Sequence, residues 1–280
     1  MSGDTRNVIE ISGLCKEFAV GRGRRRRIVR ALDDVSLNVP DGSCVAVVGE
    51  SGSGKTTLAR ILVGLERADA GRIVLAGRPL AQRPSRAERR ARARDIQMVF
   101  QDPTSSLNRR RTVGSAIGEV LAVRHRLSRA ETRRRIADLL DQVGLLPEHA
   151  QALPGELSGG QRQRIAIARA LAAEPRVLVL DEAVAALDVS VQAQVLNLLS
   201  ELRRRHRLTY LFITHDLSVV RQVSDEVVVM RQGKIVERGS TDQVLDHPQH
   251  PYTVLLRDCA PRPGWRPRRT LGQQVGEVAA

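Results

Sequence analysis

Residues 44–65 read CVAVVGESGSGKTTLARILVGL, in the order strand, loop, helix. The five apolar residues at its start form the short uninterrupted run of a strand covered on both faces. Residues 49–56 fit G-x-x-x-x-G-K-[ST], and the setting between strand and helix is the one that pattern needs. Gly52 and Gly54 let the backbone curl until successive N–H groups face one phosphate, and the following helix adds its positive N-terminus. Lys55 then supplies a compact charge between terminal phosphates, and the Thr56 hydroxyl can ligate Mg2+. Of the 45 basic residues only Lys16, Lys55 and Lys234 are lysines, so a lysine stands where phosphate favours a point charge over a planar fork. The bland alternative, a glycine-rich turn joining strand to helix, gives no reason for that lysine.

Working outward, β-like runs recur at VIEI near residue 8, VSLNV at 35, IVLA at 73, IQMVF at 96, VLVL at 177, YLFI at 210 and EVVVM at 226. Between residues 112 and 172 the pattern turns helical. Ser128 and Glu131 form a Ser-x-x-Glu capping box, and Ile136, Leu139, Leu140 and Val143 follow at helical spacing. This segment predicts a helical subdomain inserted into an α/β core. After Asp188, Val191, Val195, Leu198, Leu199 and Leu202 predict another amphipathic helix. The last thirty residues predict an extension ending in a loose tail.

At 280 residues the chain can bury a substantial core in one large α/β domain or two modest ones. Apolar residues are interrupted by charge everywhere, and no window approaches the roughly 18 of a membrane span. The N-terminus, MSGDTRNVIEIS, has no basic region followed by an apolar run, so it does not resemble a secretory signal and predicts a cytoplasmic chain. Cys15, Cys44 and Cys259 are odd in number and lack C-x-x-C spacing, which argues against a disulfide framework and against a zinc or iron–sulfur site. A net charge of +14 raises nucleic acid or an anionic membrane as partner. Against nucleic acid, the arginine clusters are spread over the whole length, as solvated faces would be. Three Phe, two Tyr and one Trp are too few for the stacking that single-strand binders use.

RVLVLDEAVAAL places Asp181 and Glu182 at the end of an apolar strand. Asp181 can reach the Mg2+ beside Thr56 if the two strands are neighbours in a parallel sheet. Glu182 can orient and deprotonate an attacking water, or serve as a helix N-terminal acid. His215 ends another strand, where ligands bind in open α/β sheets, and it can reach a γ-phosphate or be structural. Gln101 closes the strand IQMVFQDP and can touch the metal or the water through its amide. Phe18, before a Gly/Arg loop, can stack on adenine or fill a core or hinge position.

A second glycine-rich stretch, ELSGGQRQRIAIARAL at 156–171, has no lysine. Ser158 occupies an N-cap position, and Gly159 and Gly160 open the helix, so a hydroxyl, bare N–H groups and a positive helix end face an anion. It is half a site, to be completed elsewhere.

LSGGQ, GESGSGKT, the Gln of VFQ, VLVLDE, ALD and THD, in this order and spacing, resemble the ATP-binding subunits of ABC transporters over roughly residues 8–260. The resemblance implies an α/β P-loop NTPase core of ABC type with an N-terminal antiparallel β subdomain and an inserted α-helical subdomain. The expected division is 1–95 for the β subdomain and phosphate-loop part, 96–172 for the Gln loop and helical signature subdomain, 173–245 for the rest of the core, and 246–280 for a C-terminal extension. It also implies ATP and Mg2+ as ligands and a head-to-tail pair of cassettes. Each ATP would lie between Gly49, Glu50, Ser51, Gly52, Ser53, Gly54, Lys55, Thr56 and Thr57 of one subunit and Ser158, Gly159, Gly160 and Gln161 of the other. In this reading Gln101 couples nucleotide to membrane subunits, Asp188 communicates across the dimer, His215 holds the γ-phosphate, and Phe18 matches the adenine-stacking aromatic. Metal ligands would be Thr56, Gln101 and Asp181.

VFQDPTSSLN, ALDVSVQAQVLNLL, ITHDLSVVRQVSDEVVVM and HPQHPYTVLLRDCAP look like the oligopeptide/dipeptide and nickel import branch, and more like its F-type than its D-type ATPase subunit. That implies two membrane-spanning permease subunits, an extracytoplasmic solute-binding protein acting indirectly, a heterodimer more than a homodimer, no specific nucleic acid, and a peripheral place on the cytoplasmic face of the membrane. Three positions depart from the branch: Ala183 and Ala185 stand where Pro and Ser are usual, and Arg109 replaces a common Pro. The rival class is a soluble ABC ATPase acting on nucleic acid or ribosomes, but such chains usually carry two cassettes or a long coiled coil.

Overall fold

The computed structural model describes residues 6–21, 27–102 and 107–259. The centre of the basic loop GRGRRRR, residues 103–106 of VFQDPTSSLN and the expected loose tail lie outside the described residues.

The opening stretch forms strand β3 (Cys44–Val48), buried along its whole length, then helix α1 (Lys55–Val63). β3 pairs in parallel with β8 (Thr209–Ile213) on one side and β9 (Glu226–Arg231) on the other. β8 continues in parallel to β7 (Val177–Asp181), and β7 to β6 (Ile96–Val99). β10 (Lys234–Ser240) closes the other edge antiparallel to β9, giving the order β10-β9-β3-β8-β7-β6. The continuous apolar runs thus become central parallel strands, as burial on both faces requires.

A second sheet is antiparallel, with order β2-β1-β4-β5, built from β1 (Asn7–Val20), β2 (Arg27–Pro40), β4 (Ala70–Leu75) and β5 (Arg78–Pro79). Its inner residues Ile9, Ile11, Leu32, Val35 and Ile73 share one core with Leu58, Ile61 and Leu62 of α1 and with Val45, Val179 and Leu211 of the parallel sheet. Helix α1 therefore lies between the two sheets. Each such apolar side chain contributes about 1.5–3 kcal/mol by leaving water.

Helix α2 (Arg86–Asp95) was not anticipated, although Ser85 and Glu88 repeat the SRAE signal seen at 128–131 and form a complete capping box. Its sequence, RAERRARARD, has no buried residue, so no apolar stripe announces it. Helices α3 (Val113–Arg124), α4 (Arg129–Gln142) and α5 (Gly159–Leu171) share a core through Ile117, Leu121, Ile136, Leu139, Leu140 and Ile165. The expected cap of α4 is present: the Glu131 N–H donates to Ser128 Oγ at 3.3 Å, and Glu131 Oε2 accepts from the Ser128 N–H at 2.7 Å.

Helix α6 (Val189–His206) buries Val195, Leu196, Leu199 and Leu202, while Val191 and Leu198 pack at its margin. Helices α7 (Leu217–Val223), α8 (Thr241–Asp246) and α9 (Pro251–Cys259) are the last among the described residues. Leu217, Val220, Val244, Leu245 and Tyr252 from these helices cover Ala46, Val48, Val227 and Val229. Among the described residues no helix is long and apolar enough to cross a membrane.

Candidate active site

Because β3, β8, β7 and β6 run in parallel, their carboxyl ends lie along one edge of the sheet. The phosphate loop leaves β3, His215 follows β8, Glu182 follows β7 and Gln101 follows β6. Open α/β sheets bind ligands at that edge, and four separated motifs arrive there by topology alone.

In the phosphate loop, Gly49 has φ 148° and Gly54 φ 105°. A Cβ on Gly49 would sit 2.1 Å from Met230 O, and one on Gly54 2.3 Å from Ala31 O, so only glycine lets the loop lie against its neighbours. Lys55 is buried, and its Nζ donates to Gly49 O at 2.6 Å, Glu50 O at 2.7 Å and Ser53 Oγ at 3.3 Å. Burial pushes the Lys55 ammonium below its ordinary range, while the charges of Glu182, Asp181 and Glu50 pull it back. Thr57 follows on α1 and is half-buried, whereas Glu50, Ser51 and Gly52 are exposed.

Thr56 Oγ1 donates to Asp181 Oδ1 at 3.3 Å. The two strands are not neighbours, since β8 lies between β3 and β7. The contact forms anyway because Thr56 stands on α1, which packs across the face of the sheet onto Val179 of β7. Burial pushes the Asp181 carboxyl up, the Thr56 hydroxyl opposes this, and Glu182 adds to it. A hydroxyl and a carboxylate are hard oxygen donors. Among the described residues no three His, Cys, Asp or Glu side chains form a cage, and so small a protein donor set suits Mg2+, which keeps waters and phosphate oxygens.

Beside this pair, Glu182 Oε1 lies 3.3 Å from His215 Nδ1. Glu182 adopts a left-handed φ of 48°, with its N–H donating to Ile213 O at 2.9 Å. The strained backbone turns this residue out of the strand direction. Gln101 lines a cavity of about 160 Å3 with Gly159, Arg162, Gln163, Ala183 and Leu187, so the end of β6 and the signature helix share a wall. No hydrogen bond joins Gln101 to Asp181 or Thr56 among the described residues.

Ser158 caps α5 as expected. Its Oγ accepts from the Gln161 N–H at 3.2 Å, and Gln161 Oε1 accepts from the Ser158 N–H at 2.9 Å. The Ser158 hydroxyl keeps its own proton to donate. Gly160 has a second reason to lack a side chain: a Cβ there would lie 2.5 Å from Val191 Cγ1 of α6. Asp188 caps α6 by accepting from the Val191 N–H at 3.0 Å. Among the described residues no hydrogen bond links 158–161 or Asp188 to the phosphate loop, so the chain holds two halves that do not meet within it.

Phe18 lies on β1, exposed, with Lys16 Nζ 4.9 Å from the ring centroid. It is not a core aromatic. A separate cavity of about 650 Å3, lined by Asp41, Arg203, Arg207, Tyr210 and Asp225, opens at the amino ends of the parallel strands and contains none of these residues. Sequence reading missed Tyr252, whose hydroxyl accepts from the Glu50 N–H at 2.9 Å; in the sequence HPQHPY carries only the likeness to the import branch.

The family model described as ABC transporter matches residues 32–185, and the one described as oligopeptide/dipeptide transporter, C-terminal region, matches residues 236–280. The chain is 46% identical over 256 residues to the di/tripeptide transport ATP-binding protein DppF of Pseudomonas aeruginosa, covering 91% of this chain and 79% of that protein. It is 44% identical over 273 residues to the dipeptide transport ATP-binding protein DppF of Escherichia coli, covering 97% and 81%. Among solved structures, the dimeric ATP-binding cassette MJ0796 in a post-hydrolysis state with ADP and Pi superposes with a TM-score of 0.75 at 28% identity, covering 83% of this chain and 98% of that one. The chain belongs to the ATP-binding proteins of ABC transporters, in the branch that carries the oligopeptide/dipeptide C-terminal region.

Proposed function

We propose that this protein is the ATP-hydrolysing subunit of an ABC importer that takes up oligopeptides, dipeptides or a similar small solute through partner membrane subunits. The observation that carries the chemistry is the convergence of Thr56, Asp181, Glu182 and His215 at the carboxyl edge of one sheet, behind a glycine loop that holds Lys55. The names of its relatives supply the peptide, and they favour transport over the nucleic-acid alternative.

The division of labour follows from the side chains. The loop N–H groups from Gly49 to Thr57 cradle the phosphates. Lys55 exchanges its carbonyl acceptors for phosphate oxygens, where ion pairing adds to the hydrogen bonds. Thr56 and Asp181, with Gln101 swung inward, would hold Mg2+, whose contribution there would be to neutralise charge on the terminal phosphates. Glu182 takes the proton of the attacking water. With Nδ1 turned to Glu182, His215 keeps Nε2 for the transferring phosphoryl group. Phe18, exposed on β1, stacks on adenine.

Ser158, Gly159, Gly160 and Gln161 complete the site of a second cassette, and Asp188 sets the start of α6 at that interface. The MJ0796 structure is itself a dimer. ATP closes the pair, and hydrolysis and release let it reopen. The wall shared by Gln101 and the signature helix then moves with closure against the cytoplasmic segments of two permease subunits. The F-type likeness favours a related subunit over a copy as partner, with a solute-binding protein acting outside. The chain sits peripherally on the cytoplasmic face, and divides functionally at 95, 172 and 245. Co-purification with the membrane subunits, followed by ATP-driven uptake of labelled di- and oligopeptides into vesicles, tests this reading. Absence of uptake of any peptide, with uptake of nickel instead, would replace the solute.

A further inference from the structure

The first peptide of the phosphate loop is held from both ends. Its carbonyl, Gly49 O, accepts from Lys55 Nζ at 2.6 Å, and its N–H, on Glu50, donates to Tyr252 Oη at 2.9 Å. The two grips come from residues 202 positions apart for the N–H and 6 apart for the carbonyl. Gly49 offers little resistance to rotation of this peptide, so external hydrogen bonds fix its plane. When Lys55 turns toward phosphate, the carbonyl grip is released and the Tyr252 grip remains.

Tyr252 is built for a fixed position. It is 3% exposed, packed with Val48, Val229 and Leu245, and the Arg231 guanidinium lies 4.8 Å from its ring centroid. The stretch ahead of it is pinned: Glu237 on β10 accepts from the N–H groups of Gln249 at 2.7 Å and His250 at 3.1 Å, and His250 Nδ1 accepts from the Tyr252 N–H at 3.1 Å. Tyr252, Leu245, Glu237, Gln249 and His250 lie in the region matched by the branch-specific C-terminal model, whereas Val48, Val229 and Arg231 belong to the core before it.

We propose that Tyr252 is a positioning residue for the phosphate loop, which makes the C-terminal extension a working part of the ATP site. The proposal rests on the reading of residues 49–57 as the nucleotide loop. Loss of the hydroxyl frees the Gly49–Glu50 peptide to rotate and lowers the fraction of loops competent to bind; affinity falls by that fraction while chemistry in the bound state is unchanged.

The test uses the full chain and ADP binding by calorimetry, with ATPase kinetics on the same preparations. Tyr252→Phe keeps the ring and its packing and removes only the hydroxyl that accepts from the Glu50 N–H. It is expected to weaken ADP about fivefold, as loss of one neutral hydrogen bond does. The KM for ATP and for GTP should rise by the same factor, since the loop reads phosphate and not base, with kcat within about twofold. Tyr252→Leu should weaken ADP at least as much and also lower the Tm. Wild-type ADP affinity in Tyr252→Phe overturns the proposal, and so does an affinity loss confined to Tyr252→Leu, which would assign the residue to packing. Lys55→Ala separates the two levels: if it binds ADP as tightly as wild type, the nucleotide reading of the loop falls and the proposal with it.

Discussion

His215 Nδ1 lies 3.3 Å from Glu182 Oε1 although 33 residues separate them. The cause is register: Asp181 on β7 pairs with Ile213 on β8, so the first residue past one strand and the second past the other emerge side by side. The carboxylate is the more shielded partner, with 21% of its side chain exposed against 61% for the imidazole. A base backed by a more exposed imidazole suits a site that another surface must cover.

If Glu182 is the base, Glu182→Gln keeps the shape and a hydrogen-bond acceptor for His215 but removes proton acceptance. Turnover is expected to fall by about 100-fold or more, while ATP binding persists and ATP-bound dimers accumulate. Steady-state ATPase and sedimentation with ATP check this together. Wild-type hydrolysis by the variant would remove Glu182 from the chemistry.

Gly160 packs against Val191. A methyl at 160 would lie 2.5 Å from Val191 Cγ1, and a β-branched side chain in a helix has little rotamer freedom with which to yield. Gly160→Ala should cost about 1–3 kcal/mol and lower the Tm, with Val191→Ala in the same chain restoring most of it. Thermal unfolding of the two single variants and the double variant decides. A double variant no more stable than Gly160→Ala would show that the glycine is needed for something other than this contact.

Ala185 is exposed, so a hydroxyl there carries no burial penalty. If residue 185 faces the partner cassette, Ala185→Ser should leave the Tm unchanged and, by offering a hydroxyl for one hydrogen bond across the pair, raise ATPase turnover about fivefold. Unchanged turnover in the assembled complex would place residue 185 out of the partner's reach.

Lys16, itself buried, lies over the ring of Phe18 and pairs with two partly exposed carboxylates, its Nζ 3.0 Å from Glu66 Oε1 and 3.5 Å from Asp69 Oδ1. The Lys16 hydrogen bond, helped by the Arg67 N–H, holds the Glu66 carboxyl below its ordinary value of 4.5. A carboxylate lowered in the folded state stabilises it above the unfolded pKa, and the gain disappears as pH falls through the folded pKa. Lys16→Met should therefore lower the Tm at pH 7, and the difference from wild type should narrow below about pH 4. A constant difference across that range would attribute the effect to packing.

The sequence alone determined what is written in contiguous residues. The phosphate loop, the cap at Ser158, the cap at Ser128 and the carboxylates at the end of an apolar strand all depend on backbone geometry set within one turn or one strand, so their residue types announce them. Tertiary structure decided the rest. Sheet order placed β8 between β3 and β7, so Thr56 reaches Asp181 from a helix lying over the sheet and not from an adjacent strand. Helix α2 escaped notice because it has capping residues but no buried face. The packing of α6 gave Gly160 a steric reason that its anion-binding pattern did not carry. Tyr252 was invisible as a site residue for the same physical reason: its partner is a backbone N–H 202 residues away, and a backbone group leaves no mark on the sequence.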